Sequence, residues 1–192
     1  MKVLHTALKE QNKAERRRKR LLTVYELVLF AMLGALMFGS KVLMDALPNV
    51  HLVGMFIMVF TLVFRAKALI PIYIYVILVG VYSGFAWWLP NIYTWAVLWG
   101  MTMLLPRKMP TMVACIVYPA VCCLHGLVYG TMSAPVQALM FGLNFKQMIA
   151  WIITGLPWDA IHGVGNLCAG MLVLPLSKVL KKACNNIKLK IR

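Results

Sequence analysis

The fold is decided by one polar stretch inside an apolar run, which reads Pro157-Trp158-Asp159-Ala160-Ile161-His162-Gly163-Val164-Gly165-Asn166. Proline is favoured in the first turn of a helix, so the stretch predicts the start of a helix that runs to Leu180. A rotation of about 100° per residue places Asp159, His162 and Asn166 within roughly a 60° arc. Ionisable groups in a segment otherwise fit for lipid usually mark a functional site. The alternative is that they only hydrogen-bond neighbouring helices together.

The composition of the whole chain indicates an all-α integral membrane protein. Of the 192 residues, 62% are hydrophobic and 13% are charged, whereas soluble domains are about 45–50% apolar and about 25% charged. The mean hydropathy is +0.80. A soluble protein of this composition could not cover its surface with polar side chains. At about 20 residues per span, the length suits a bundle of six or seven helices.

The basic residues set the predicted topology. All but Lys41 and Lys146 of the 20 lysines and arginines lie before the first span, in two short loops, or from Lys178 onward. Such clusters face the cytoplasm in membrane proteins. If residues 132–155 crossed fully, the basic C-terminal tail would lie outside. The sequence therefore predicts a six-helix transmembrane bundle with both termini cytoplasmic, and an outer, partly embedded helical loop over 132–155 between spans five and six.

The same charge pattern defines three regions and excludes one class of partner. Residues 1–20 are predicted to be a basic cytoplasmic arm held by the anionic surface of the lipid bilayer, residues 21–182 the six-span membrane domain, and residues 183–192 a basic tail. The net charge of +15 flanks spans instead of lining a groove, so no nucleic-acid partner is expected. The five cysteines lack metal-type spacing, and neither a metal nor a cofactor is expected.

The first span, from Leu21 to about Met44, carries a stripe of small residues. Ala31, Ala35 and Gly39 recur every four positions, so they share one face and allow another helix to approach closely. That helix belongs either to the same bundle or to a separate subunit, and composition does not decide between them.

Polar and aromatic faces of the last three spans are predicted to converge on a pocket. At about 1.5 Å per residue, His125 lies roughly 9 Å and His162 roughly 8 Å from the outer ends of their spans. Such a pocket suits a flat, polar heterocycle. The tryptophans could instead be residues of the membrane-interface belt. The candidate lining residues are Trp95, Trp99, His125, Tyr129, Asp159, His162 and Asn166.

An enzyme is the less favoured interpretation. The segment Gly80-Val81-Tyr82-Ser83-Gly84 is loosely similar to the Gly-x-Ser-Gly of rhomboid-type intramembrane proteases, with His125 or His162 as a base. The spacing differs by one residue, however, and serine is common where helices pack together. The sequence also has no Gly-x-x-x-x-Gly-Lys-Ser/Thr phosphate loop.

Four segments of the chain carry a family resemblance: Ala31-x-x-x-Ala35, Arg65-x-Lys67-Ala68-Leu69, Pro157-x-Asp159-x-x-His162-x-x-x-Asn166 and Pro175-Leu176-x-x-x-Leu180-Lys181. With these segments, residues 21 to 182 resemble the substrate-binding S component of an energy-coupling factor (ECF) transporter. The resemblance implies a binding subunit, not an enzyme, that captures a vitamin or related micronutrient at an outward-facing pocket in the bacterial plasma membrane. A membrane coupling subunit and two cytoplasmic ATPases would then drive delivery.

The resemblance also assigns roles to residues. It implies that Ala31, Ala35 and Gly39 contact the coupling subunit, and that spans four to six hold the ligand. Cobalt and nickel members begin with Met-His, whereas Met1 is followed here by Lys2, which argues against a metal substrate. The alternative outside this family is a membrane scaffold or assembly subunit without a ligand.

Overall fold

The computed structural model describes residue 5 and residues 22–186, and the expectation of an all-helical protein is confirmed over these residues. A short 3-10 helix, Arg65–Ala68, joins the second α-helix to the third. The predicted N-terminal arm, apart from residue 5, and the end of the predicted C-terminal tail lie outside the described residues. In chain order the α-helices are α1 (Val24–Leu43), α2 (Val53–Phe64), α3 (Leu69–Ser83), α4 (Phe85–Leu104), α5 (Thr111–Leu127), α6 (Tyr129–Phe141), α7 (Phe145–Gly170) and α8 (Val173–Asn186).

The helices are those of a membrane protein. Three helical stretches are long and apolar enough to cross a bilayer, namely Val24–Leu43, Val53–Ser83 and Thr111–Phe141. Helices α7 and α8, bent by 48° against each other, form a fourth candidate if they are counted as one span. Large apolar side chains such as Met32 and Val164 are exposed on the outside of the bundle, which suits contact with lipid.

Helix α2 lies at the centre of the bundle. Of its twelve residues, all but Phe56 and Leu62 are buried. It contacts α1, α4, α5, α7 and α8. A helix that is apolar all round is suited to such a position. In lipid, van der Waals packing is a main source of stabilisation between helices.

The chain turns sharply at Arg65, where φ is 56° and ψ is −122°. This conformation is strained for any residue except glycine. Two hydrogen bonds to α4 hold the turn: the Arg65 Nη2 donates to the Met103 carbonyl at 2.9 Å, and the Trp99 indole N–H donates to the Arg65 carbonyl at 3.1 Å. Lys67 adds an ion pair with Glu26 of α1. The end of α2 and the start of α3 are thereby tied to the first turn of α1.

Helix α1 runs alongside α3 and touches it through Gly34. A Cβ atom on Gly34 would lie 2.7 Å from Ile74 Cγ2 and 3.0 Å from the Pro71 carbonyl oxygen. We expect Gly34→Ala to lower the free energy of unfolding by about 1–3 kcal/mol, because α1 must move away from α3. Thermal unfolding in detergent measures this. Gly39→Ala is the control, since nothing lies within 4 Å of that Cβ; equal stability of the two variants would contradict the prediction.

The prediction that a helix begins at Pro157 is wrong. Helix α7 begins at Phe145, where the Asn144 side chain accepts a hydrogen bond from the Gln147 N–H at 3.0 Å and the Gln147 side chain accepts one from the Asn144 N–H at 2.8 Å. This reciprocal pair is a strong helix start. The helix continues through Pro157. Proline is tolerated within membrane helices because neighbouring groups satisfy the freed carbonyl.

Residues 132–155 accordingly do not form a single element. They are divided between α6 and the first part of α7, with a left-handed turn at Gly142, where φ is 65°. The predicted continuous helix to Leu180 is interrupted instead after Gly170, where α8 departs at 48°.

Candidate functional site

Six rings pack together in one buried group, which we call the ring cluster. They come from α3, α4, α5, α6 and α7 and from the loop between α1 and α2. Ring centroids are 4.7 Å apart for His51 and His162, 5.0 Å for Tyr129 and His162, and 5.3 Å for Trp95 and His125. The members are His51, Tyr75, Trp95, His125, Tyr129 and His162.

Two further polar side chains of α7, Asp159 and Asn166, lie beside the ring cluster, and both pack against glycine residues. The Oδ1 of Asp159 accepts a hydrogen bond from the Gly130 N–H at 2.9 Å, and a Cβ on Gly130 would lie 2.6 Å from Asp159 Oδ2. The Asn166 amide lies between Gly54 and Gly126, whose Cβ atoms would lie 3.1 Å from its Oδ1 and 2.9 Å from its Nδ2. Larger residues at these glycines would displace the polar groups.

The site contains buried polar atoms that lack hydrogen-bond partners. Such atoms are rare in folded proteins, and each asks for an explanation such as a ligand or an ordered water. Asp159, His162 and Asn166 are 6%, 3% and 1% exposed. The unpartnered atoms at the site are His51 Nδ1, Thr94 Oγ1, His125 Nδ1, Asp159 Oδ2, His162 Nε2, and both amide atoms of Asn166.

Hydrogen bonding assigns the tautomer of His125. Its Nε2 lies 2.9 Å from the Thr94 carbonyl oxygen, which can only accept a hydrogen bond. The proton of a neutral His125 is therefore on Nε2, and its Nδ1 is a free acceptor.

Asn91 positions two rings of the cluster. Its Oδ1 accepts hydrogen bonds from Trp95 Nε1 at 2.6 Å and from the Tyr129 hydroxyl at 2.7 Å, and its Nδ2 donates to the Trp87 carbonyl at 2.8 Å. The predicted site omitted Asn91. Its spacing of four residues from Trp95 places both residues on one helical face, and this pattern could have identified it.

The structure brings together six of the seven side chains predicted to line the pocket. Trp99 is the exception, because its indole N–H is committed to the turn at Arg65. Tyr129 is the first residue of α6, which continues the same candidate span, Thr111–Phe141, as α5. His51 was missed, since a loop histidine has no helical periodicity to place it. The residues brought together are Trp95, His125, Tyr129, Asp159, His162 and Asn166.

The small-residue stripe lies on another surface of the bundle. Ala31 and Ala35 are exposed, and nothing lies within 4 Å of a Cβ built on Gly39. The buried face of α1 is formed instead by residues such as Phe30 and Met37. The stripe thus lies away from the buried face of α1.

Just after the C-terminal end of α1, Asp45 forms an ion pair with Lys41. The hydrogen bond from Lys41 lowers the pKa of the Asp45 carboxyl below its usual value. The Tyr82 hydroxyl also donates to Asp45, at 3.0 Å. Within residues 22–186, no three or more histidine, cysteine, aspartate or glutamate side chains are grouped so that they could hold a metal ion.

Comparison with known proteins finds no match to this chain. No protein-family model, no curated protein and no solved structure matches the chain. The resemblance to ECF S components therefore depends on the four sequence segments, and the geometry of the ring cluster and the stripe is what bears on function.

Proposed function

We propose that this protein is the substrate-specific binding subunit of an ECF-type importer in a bacterial plasma membrane. It captures a small water-soluble vitamin or related micronutrient at an outward-facing pocket formed by the ring cluster. The observation that carries the proposal is the set of buried, unpartnered polar atoms beside the closely packed rings of the cluster. A pocket of aromatic walls with a few polar groups is typical of small-molecule sites.

The position of the small-residue stripe supports the proposed delivery of the ligand through a coupling subunit. Delivery requires a coupling subunit, driven by two ATPases, that docks without covering the ligand. Ala31 and Ala35 are on α1, which contributes no ring to the cluster. Binding and coupling would therefore use different surfaces of one bundle, and the chain itself would carry out no chemical reaction.

The proposed topology has six spans with both termini in the cytoplasm. It divides the apolar stretch Val53–Ser83 at the Arg65 turn, treats α7 with α8 as the sixth span, and leaves α6 on the outer side. Two observations support it: the turn lies beside Glu26 at the start of α1, and Arg107 and Lys108 follow α4. Both loops would then be cytoplasmic, as basic loops generally are.

A cysteine-labelling scan tests this topology. We expect reagents that cannot cross the membrane to label positions in α6 and the first turn of α7 in intact cells. Positions beside Arg107 and at the C-terminal end of α8 should react only after permeabilisation. External labelling at the C-terminal end would mean an odd number of spans and would overturn the proposed topology.

Native mass spectrometry of the purified protein tests the binding function directly. An S component is expected to retain a ligand, seen as an additional mass released on unfolding. A scaffold subunit would carry none, and the ring cluster would then serve only to hold helices together. A hydrolase would instead lose activity when Ser83 alone is changed.

A further inference from the structure

The charges around the ring cluster are unbalanced. Asp159 lies beside the cluster at Tyr129, and no lysine or arginine of residues 22–186 forms an ion pair with it. The Lys41–Asp45 ion pair acts on His51, but its two charges oppose each other there. Arg65 and Lys67 belong to the turn between α2 and α3, and the remaining basic residues of this range are exposed. A carboxylate removed from water without a basic partner is costly. A ligand that supplies positive charge or N–H donors would offset that cost.

Of the seven unpartnered atoms at the site, three can only accept a hydrogen bond, and one, Asn166 Nδ2, can only donate. Asp159 Oδ2, Asn166 Oδ1 and His125 Nδ1 are acceptors that lack a donor. The ionised carboxylate and the free ring nitrogen can only accept hydrogen bonds. A ligand carboxylate or phosphate would add negative charge to this group of acceptors.

The rings favour a flat ligand. Trp95 and Tyr129 have centroids 5.3 Å apart, and Asn91 fixes both polar edges. Aromatic faces attract planar rings and, more strongly, cations. The cluster rings contact one another, so the ligand must separate them. His51 is the member that a loop carries, which makes it the ring that can move with least disturbance to the helices.

We propose that the ligand is a planar, neutral or cationic amino heterocycle whose N–H groups bind Asp159 and Asn166, and that the site rejects carboxylates and phosphates. This inference rests on the proposed binding function and narrows its substrate class. It follows from the buried Asp159 carboxylate, which has no ion-pair partner among the described residues, and from the free acceptors beside the rings.

The test uses the full-length protein purified in detergent and three matched pairs of compounds. The pairs are benzamidine and benzoate, 4-aminopyrimidine and pyrimidine-4-carboxylate, and adenine and purine-6-carboxylate. We expect only amino members to raise the unfolding temperature. Asp159→Asn keeps an oxygen acceptor for the Gly130 N–H but removes the charge, so it should weaken binding of the amino compound about tenfold. Glu26→Gln, which removes a buried carboxylate outside the cluster, should leave the affinity unchanged.

The possible results separate the ligand class from the binding function. Stabilisation by an acidic member, or a retained carboxylate or phosphate found by mass spectrometry, would overturn the ligand class and leave the binding function standing. Equal affinity of the wild type and Asp159→Asn would also overturn it. A folded protein that retains no ligand and binds none of the compounds would overturn the proposed function itself. A retained amino heterocycle would support both.

Discussion

Replacing Ala35 with tryptophan is expected to abolish nutrient uptake in cells while the purified protein still binds its ligand. Ala35 is exposed on α1, away from the buried residues of that helix. A large side chain there would hold a partner helix off by several ångströms and remove close packing along the whole contact. We expect uptake to fall at least about a hundredfold, since loss of only ~3 kcal/mol of association energy has that effect. Uptake of radiolabelled ligand and co-purification of the coupling subunit measure it.

Leu36→Trp is the matched control. Leu36 is 52% exposed and lies about 100° round the helix from Ala35, so its larger replacement meets lipid. We expect normal uptake and normal complex formation. If Ala35→Trp instead damaged folding and ligand binding together, the stripe would have to pack inside the bundle. Normal uptake by Ala35→Trp would remove the stripe from the proposed coupling surface.

Helical periodicity in the sequence predicts most members of the ring cluster. Asp159, His162 and Asn166 share one face of α7 and are all buried toward the bundle. His125 and Tyr129 meet Trp95 at the predicted level. The prediction succeeds because polar groups in apolar helices must face protein, so angular position alone indicates which side chains converge.

Periodicity could not supply the local geometry. It grouped Trp99 with Trp95 because the two share a face, whereas one turn of helix separates the ring cluster from the strained Arg65 turn that Trp99 contacts. It also interpreted Pro157 as a helix start, although the reciprocal bonds of Asn144 and Gln147 start α7 earlier. Competing local signals of this kind are decided by tertiary packing, which a single sequence does not display.

The Asp159 carboxylate depends on the absence of a side chain at Gly130. A Cβ at this position would lie 2.6 Å from Oδ2 and 2.7 Å from Oδ1, closer than atoms can pack. Gly130→Ala must therefore push the carboxylate away, which removes its hydrogen bond from the Gly130 N–H and misplaces it for the ligand. Hydrogen bonds to charged groups are worth about 1.5–3 kcal/mol, so we expect ligand affinity to fall by up to about a hundredfold. Isothermal titration of the purified variant measures the change.

Gly155→Ala separates this effect from a general response to added side chains. Gly155 lies in the same helix as Asp159, one turn earlier, and nothing lies within 4 Å of its Cβ. We expect its affinity to match the wild type. The unfolding temperature of Gly130→Ala shows whether weak binding results from a damaged fold or from the displaced carboxylate. If the variant is folded but has lost affinity, Asp159 contacts the ligand. Unchanged affinity with an intact fold would instead mean that Asp159 only joins α6 to α7, because displacing its carboxylate would then not change the binding of the ligand.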